Sequence, residues 1–218
     1  MTLPFTRDQF FSIFGSYNEA LWPFAIALWL ASFVALICLG RGKEGRQRFI
    51  NLLLVTHWLW AAIAYHIAFF SRINPAAWLF GGLFLIQALL FAGYGVIGER
   101  LKYSPGRSLR HVLSNGLIAY ALIYPAIGWL EGFSFPRMPT FGIPCPTTLL
   151  TVGFLLAADR PLPAALTPIP IVWAFIAGSA AFQLGVHADL MLLAAGISLL
   201  LYVIWTWQRH PQPVGTLM

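Results

Sequence analysis

Apolar residues fall into seven runs along the chain, and short polar stretches separate them. The runs cover residues 21–40, 49–70, 77–97, 112–130, 145–158, 164–185 and 189–207. A helix needs about 20 apolar residues to cross the roughly 30 Å hydrocarbon core of a bilayer, so the fifth run is too short for a full crossing. The pattern predicts an all-α fold, a polytopic transmembrane helical bundle with one integral membrane domain over residues 1–218, in which the fifth segment is broken, re-entrant or tilted.

A further, amphipathic helix is predicted ahead of the first run. Thr6 followed by Gln9 resembles a capping box, in which each side chain bonds the backbone N–H of the other residue. Aromatic residues then recur at helical spacing, at Phe10, Phe14 and Tyr17. We therefore expect residues 6–18 to form a separate N-terminal helix that lies in the membrane interface.

The composition supports a membrane protein and argues against a nucleic-acid-binding one. Hydrophobic residues make up 59% of the chain and charged residues only 9%, whereas a soluble domain has about 25% charged residues. The formal net charge is +6, but the basic residues lie in short loops and form no stripe with interleaved aromatic residues. The expected partner is therefore the lipid bilayer, and nucleic acid is not expected.

The positions of the basic residues predict an orientation in the membrane. Most of them lie in the first and third loops, at Arg41, Lys43, Arg46, Arg48, Arg100, Lys102, Arg107 and Arg110. The positive-inside rule places both loops in the cytoplasm, together with Arg160 and Arg209 if the chain crosses seven times. The N-terminus is then outside and the C-terminus cytoplasmic. A re-entrant fifth segment would instead move the C-terminus outside.

Cys145 lies between two prolines at the start of the short fifth run. Pro146 suits the first position of a helix, so Cys145 is predicted to cap that helix, and residues 141–145 are predicted to enter the protein in extended form. A helix N-terminus favours anions and the thiolate form of cysteine. Cys145 is therefore the first candidate for contact with a ligand, and a packed, inert cysteine is the alternative.

The alternating topology gathers a set of chemically active residues at the outer end of the bundle, around a cavity walled by spans two, four, five and seven. The set comprises Asn18, Glu19, His66, Asn74, Glu131, Cys145, Thr147, Gln183, His187 and Asp189. Within it, Cys145, His66 and His187 offer the thiolate and imidazole ligands that suit a soft or borderline metal ion such as zinc or copper(I). The alternative is the ordinary polarity of loops at a membrane surface.

His57 lies near the middle of the second run, where an ionisable group is costly and hence a candidate for function. The alternative is a neutral imidazole that bonds a neighbouring helix through Gln87 or Asn115. His57 and His66 are nine residues apart, which places them on opposite faces of a straight helix. Haem is not expected, because no second axial histidine lies at a similar depth.

Several local motifs carry a resemblance to a known family. They are Leu3-Pro4-Phe5-Thr6, Tyr17-Asn18, His57-Trp58, Tyr65-His66, Ile73-Asn74-Pro75-Ala76 and the stretch 141–148. With these motifs the chain resembles a family of uncharacterised bacterial multi-pass inner-membrane proteins, defined only as a domain of unknown function. The resemblance implies an integral protein of the bacterial cytoplasmic membrane and supplies no activity or cofactor.

Three functions stay open at this point. The first is binding or transport of a small solute or soft metal ion at the outer cavity, with Cys145 and His66 in direct contact, Glu131, His187 and Asp189 as supporting charges, and Thr147 and His57 as further binding residues. The second is an intramembrane enzyme that uses Cys145 as nucleophile. The third is a homo-oligomer or an accessory subunit of a larger membrane complex. An enzyme is the less favoured interpretation, because the chain has no Walker loop, GxSxG or HExxH motif.

Overall fold

A computed structural model describes residues 3–39, 44–159 and 161–209. Seven α-helices occur in this part of the chain: α1 (Arg7–Leu39), α2 (Glu44–Trp60), α3 (Ala77–Phe91), α4 (Leu109–Leu130), α5 (Pro144–Ala157), α6 (Pro168–Leu184) and α7 (Met191–Arg209). Two π-helical segments, Ala61–Ile67 and Ala92–Ile97, continue α2 and α3. Short 3-10 turns cover Phe70–Arg72, Ala164–Leu166 and His187–Leu190. The all-α prediction is confirmed.

Six of the helical stretches are long and apolar enough to cross a membrane by length and composition. They are Arg7–Leu39, Arg46–Arg72, Ala77–Ile97, Leu109–Leu130, Ala164–Leu184 and His187–Gln208. Large apolar side chains such as Leu79, Leu89 and Phe182 face outward from the bundle. A soluble monomer rarely exposes apolar surface of this extent, so the protein is membrane-embedded.

The first two predicted helices are joined into one. Thr6 and Gln9 form the predicted capping box, with the Thr6 N–H donating to Gln9 Oε1 at 2.8 Å and the Gln9 N–H donating to Thr6 Oγ1 at 3.2 Å. The helix then continues without a break through residues 19–22, which contain no helix breaker, and onward through Pro23. With 33 residues, α1 is about 50 Å long, which exceeds the bilayer core.

The N-terminal part of α1 packs on the protein instead of lying apart in the interface. Phe11 stacks on Phe133 with ring centroids 4.7 Å apart, and Phe10 packs on Phe14 and Phe70. The separate interfacial helix over residues 6–18 is therefore replaced by the start of a long first helix. The aromatic spacing indicates a buried face, and that face is buried against protein.

The helices alternate in direction between two ends of the bundle. The basic end holds the start of α2 and the linker to α4, with Arg46, Arg48, Arg100, Lys102, Arg107 and Arg110. The other end, where α5 and α7 begin, is called the site end below. Arg41, Lys43 and Arg160, which also enter the predicted orientation, lie outside the described residues, as does the side chain of Arg209.

Helix α5 runs from the site end to the basic end, although its 14 residues span only about 21 Å. At the site end, Cys145 contacts Asp189, and at the basic end Ala158 forms an isolated bridge with Tyr103. The fifth segment is therefore short, as predicted, but it does not turn back on itself. The rest of the bundle surrounds it, since every residue of α5 except Cys145 is fully buried.

The start of α5 differs from the sequence expectation by two residues. Ile143 is the N-cap and Pro144 the first helical residue, so Cys145 lies within the first turn and does not cap it. The approach is a turn at Phe141 and Gly142, not an extended descent. Gly142 has φ +80°, and a Cβ there would lie 2.7 Å from Tyr17 Oη; glycine alone suits both the angle and the space.

Candidate functional site

The site end contains a buried carboxylate that is held by two donors from neighbouring helices. Asp189 lies in the 3-10 turn His187–Leu190 and is 5% exposed. The Tyr124 hydroxyl of α4 donates to Oδ1, and the Cys145 Sγ of α5 donates to Oδ2 at 3.3 Å. Both carboxylate oxygens are thus oriented by neutral groups.

A second tyrosine holds the same turn. Tyr120 lies one helical turn before Tyr124 on α4, so the two side chains share a face of that helix. Its hydroxyl donates to the carbonyl oxygen of Ala188 at 3.0 Å. The two tyrosines therefore fix both the backbone of the turn and the carboxylate beside it.

Asp189 and Cys145 open into a cavity of about 150 Å³, called the aromatic pocket below. The N-terminal segment, α1, the end of the second span, α3, α5 and α6 form its walls. Its aromatic residues are Phe5, Phe10, Phe14, Tyr65, Phe70, Phe80 and Trp173. A cavity of about this volume admits benzene in an engineered protein, so the aromatic pocket has room for a ring-sized group beside the carboxylate.

The aromatic pocket contains a carboxylate without a matching cation. Within the described residues, the one ion pair joins Arg137 to Asp8 at the surface, away from Asp189. A charged side chain that does act on Asp189 is that of Glu131, and it repels the carboxylate because it has the same sign. Glu131 is half-buried, and its Oε2 has no hydrogen-bond partner in the described structure. A buried carboxylate in this setting requires a proton or a cationic ligand, because an uncompensated buried charge is very costly.

The predicted metal ligands are not brought together. Cys145 contacts Asp189, but His187 is exposed on the outer side of the same turn, and His66 lies behind the aromatic lining. Among the described residues, no group of three or more His, Cys, Asp or Glu side chains is placed to hold a metal ion. The structure thus keeps Cys145, His66 and His187 apart, because the His187 side chain is exposed while Asp189 is buried, and the His66 ring lies against Phe84 of α3 and Trp173 of α6.

His57 and Thr147 form a separate polar contact in the core. The ring nitrogens of His57 lie 3.0 Å from Ser32 Oγ and 3.3 Å from Thr147 Oγ1. The predicted partners were Gln87 and Asn115, and both are wrong: Gln87 donates to the carbonyl of Leu166, and Asn115 is exposed. Both ring nitrogens of His57 have protein partners, which is the pattern of a structural imidazole.

His66 is enclosed by aromatic rings and has no hydrogen-bond partner in the described part of the chain. It is 0% exposed, and both ring nitrogens are buried without a partner. Its ring centroid lies 4.8 Å from that of Phe84 and 5.1 Å from that of Trp173. Trp173 also lines the aromatic pocket, so His66 is one layer away from the ligand space and does not line it.

Two residues that hold the buried polar groups were missed in the sequence, Tyr124 beside Asp189 and Ser32 beside His57. Tyr124 could have been found from the i, i+4 spacing of Tyr120 and Tyr124 on one helix. Ser32 gives no such signal, because a lone serine in an apolar helix is common. Spans two, four, five and seven were predicted as walls of the cavity. Spans two, five and seven contribute to the aromatic pocket, the last through Asp189, whereas α1, α3 and α6 contribute in place of span four.

The long apolar helices and the buried polar residues between them define a helical, multi-span, membrane-embedded protein. The model of a family of unknown function, DUF6064, matches residues 7–212, and the chain belongs to this family. This confirms the resemblance to an uncharacterised domain family. No curated protein and no solved structure matches the chain.

Proposed function

We propose that the protein binds a small organic cation in the aromatic pocket, with the charged nitrogen at Asp189. One observation carries this proposal: the Asp189 carboxylate is buried at the edge of a mostly apolar cavity and has no Lys or Arg partner in the described part of the chain. An ionisable side chain inside a membrane bundle is a functional candidate by default. A positively charged ligand would supply the missing counter-charge.

The other walls of the pocket fit the same ligand class. Aromatic faces attract ammonium groups, and the attraction strengthens where water is excluded. Tyr124 and Cys145 occupy two of the about four acceptor positions of the carboxylate, which leaves others for an ammonium group. The pocket volume of about 150 Å³ limits the enclosed body of the ligand to a single ring or a short chain. Primary amines with an aromatic ring meet these conditions.

An enzyme that uses Cys145 and a site for a metal ion have less support than binding of an organic cation. The hydrogen bond of Cys145 goes to a carboxylate, which does not activate a thiol as a histidine base would. The metal-ion version of solute binding lacks a ligand set among the described residues. With the basic end in the cytoplasm of a bacterium, the site end would face outward, and the protein would take its ligand from outside the cytoplasmic membrane.

Titration of the purified full chain with benzylamine in mild detergent tests the proposal. Benzyl alcohol has the same ring and no charge, so we expect it to bind at least about tenfold more weakly than benzylamine. Asp189→Asn keeps the shape of the side chain and removes its charge, so we expect it to lower the affinity for benzylamine by the same factor of about ten. Glu19→Gln removes an exposed carboxylate of α1 that lies outside the aromatic pocket; it is the matched control and should bind like the unmodified chain. Equal affinity for the amine and the alcohol would contradict the proposal.

Two further measurements separate this function from its alternatives. If a proton is the resting occupant of Asp189, amine binding releases it, and the heat of binding then changes with the ionisation enthalpy of the buffer. Cys145→Ser keeps a donor to the carboxylate and should retain amine binding within about threefold. A serine variant that still binds but loses turnover of a lipid or redox substrate would instead support the enzyme.

A further inference from the structure

A second cavity, of about 490 Å³, lies at the basic end of the bundle and is called the basic-end cavity below. It lies between the first turns of α2, the end of the third span and the linker to α4. Polar and charged residues from these elements and from the end of α5 surround it: Gln47, Arg48, Glu99, Lys102, Ser104 and Asp159. Its volume is within the range of about 300–1,000 Å³ that small-molecule sites occupy.

The floor of this cavity is held rigidly by side-chain hydrogen bonds. The Gln47 side chain forms two hydrogen bonds with the backbone of Tyr103. Its Oε1 accepts from the Tyr103 N–H at 2.7 Å, and its Nε2 donates to the Tyr103 carbonyl oxygen at 2.8 Å. The Tyr103 hydroxyl donates to Asn51 Oδ1 at 2.7 Å, and Asn51 Nδ2 donates to the carbonyls of Gly95 and Leu101. Burial raises the pKa of the Tyr103 hydroxyl, so it stays a neutral donor. The linker is thus preorganised before any ligand arrives.

The rim of the cavity holds charges of both signs that do not pair with each other. Arg48 and Lys102 are cationic, Glu99 and Asp159 are anionic, and all four side chains are exposed. Among the described residues no ion pair joins any of them. Asp159 accepts one hydrogen bond, from the Ser104 hydroxyl at 2.9 Å. Two cations and two anions around one polar cavity match a ligand that itself carries both signs.

The position of the cavity indicates where such a ligand would come from. The second span begins at Arg46 and the third ends at Ile97, so the cavity lies level with the ends of two membrane-spanning helices. That is the depth of lipid headgroups, where basic side chains bind phosphate. We propose that the basic-end cavity binds the zwitterionic phosphoethanolamine headgroup of a bilayer lipid, with the phosphate at Arg48 and Lys102 and the ammonium at Glu99 and Asp159.

Native mass spectrometry of the full chain in nanodiscs of defined composition tests this assignment. We expect phosphatidylethanolamine to be retained about tenfold more than phosphatidylglycerol, which has the phosphate and lacks the ammonium. Arg48→Gln with Lys102→Gln should lose both lipids. Glu99→Gln with Asp159→Asn should abolish the preference and leave phosphatidylglycerol bound. Arg107→Gln, an exposed basic residue at the same end but outside the cavity, is the control and should change nothing.

Three outcomes would overturn the assignment. The first is equal retention of the two lipids by the unmodified chain. The second is an effect of Arg107→Gln as large as that of the Arg48 and Lys102 variants, because net charge alone would then explain binding. The third is competition by free glycerophosphoethanolamine at the concentration of the lipid, which would assign the cavity to a soluble solute. If a double variant does not fold, as judged by its elution and melting temperature, the four single variants replace it in the same comparison.

Discussion

Asp189 and His57 are both buried ionisable residues, yet their surroundings assign them different roles. His57 has a hydroxyl partner at each ring nitrogen, from Ser32 and Thr147, and no charged neighbour is needed. Asp189 has two neutral donors, a second carboxyl group nearby and an adjoining cavity. The two hydroxyl partners satisfy a neutral His57 imidazole. The Asp189 carboxylate, in contrast, still lacks a cation or a proton to balance its charge. Function is therefore expected at Asp189 and stability at His57.

Replacing Ser32 by Ala tests the structural role of His57. The change removes the partner of one buried ring nitrogen, and leaving a buried polar atom unsatisfied costs about 1–3 kcal/mol. We expect a lower melting temperature in detergent together with unchanged benzylamine affinity. Ser179→Ala is the control, since Ser179 is exposed and bonds only within its own helix. A loss of amine binding with unchanged stability would instead link His57 to the ligand.

Helices α4 and α5 show which features of an element can be predicted from the sequence. The apolar run at 145–158 indicates a short fifth helix, and Pro144–Ala157 is that helix. Its direction and its depth were not predictable, because both depend on how closely α4 approaches. That approach occurs at Gly153, where a Cβ would lie 3.0 Å from the Ser114 carbonyl oxygen. Such contacts arise only when two helices pack together, so the sequence of either helix alone does not predict them.

Gly153→Ala is expected to separate α4 from α5. The added methyl group has no space against Ser114 and Ile118, and overpacking of this kind costs about 1–3 kcal/mol. The matched control is Gly116→Ala on α4, where the new methyl group would have no neighbouring atom within 4 Å; this change should be neutral or stabilise the helix by up to about 1 kcal/mol. Melting curves in detergent compare the two variants. Equal stability of both would show that the close contact at Gly153 contributes little.

At the scale of the whole molecule, the hydropathy pattern predicts the number of long helices. Which side chains meet at the ends of the bundle depends on tertiary contacts. The run at 77–97 coincides with the stretch Ala77–Ile97, because a membrane helix is defined by its composition. The sequence placed Cys145 and Asp189 at the same end of the bundle, but their hydrogen bond was out of reach, since 44 residues separate them and it depends on how α5 and α6 pack. The continuity of α1 was also missed: hydropathy changes near residue 20 and Pro23 disfavours a helix interior, yet the helix runs through both.

The distribution of basic residues carries the last prediction, which concerns orientation. In the described residues, the basic end holds Arg46, Arg48, Arg100, Lys102, Arg107 and Arg110, and the site end holds Arg7, Arg72 and Arg137. Cytoplasmic loops are enriched in Lys and Arg, so the aromatic pocket should face outward. In a chain with Cys38→Ser and Cys145→Ser, a membrane-impermeant maleimide should label His187→Cys in intact cells and Pro105→Cys only after permeabilisation. The reverse pattern would place the pocket on the cytoplasmic side, and the amine ligand would then have to come from inside the cell.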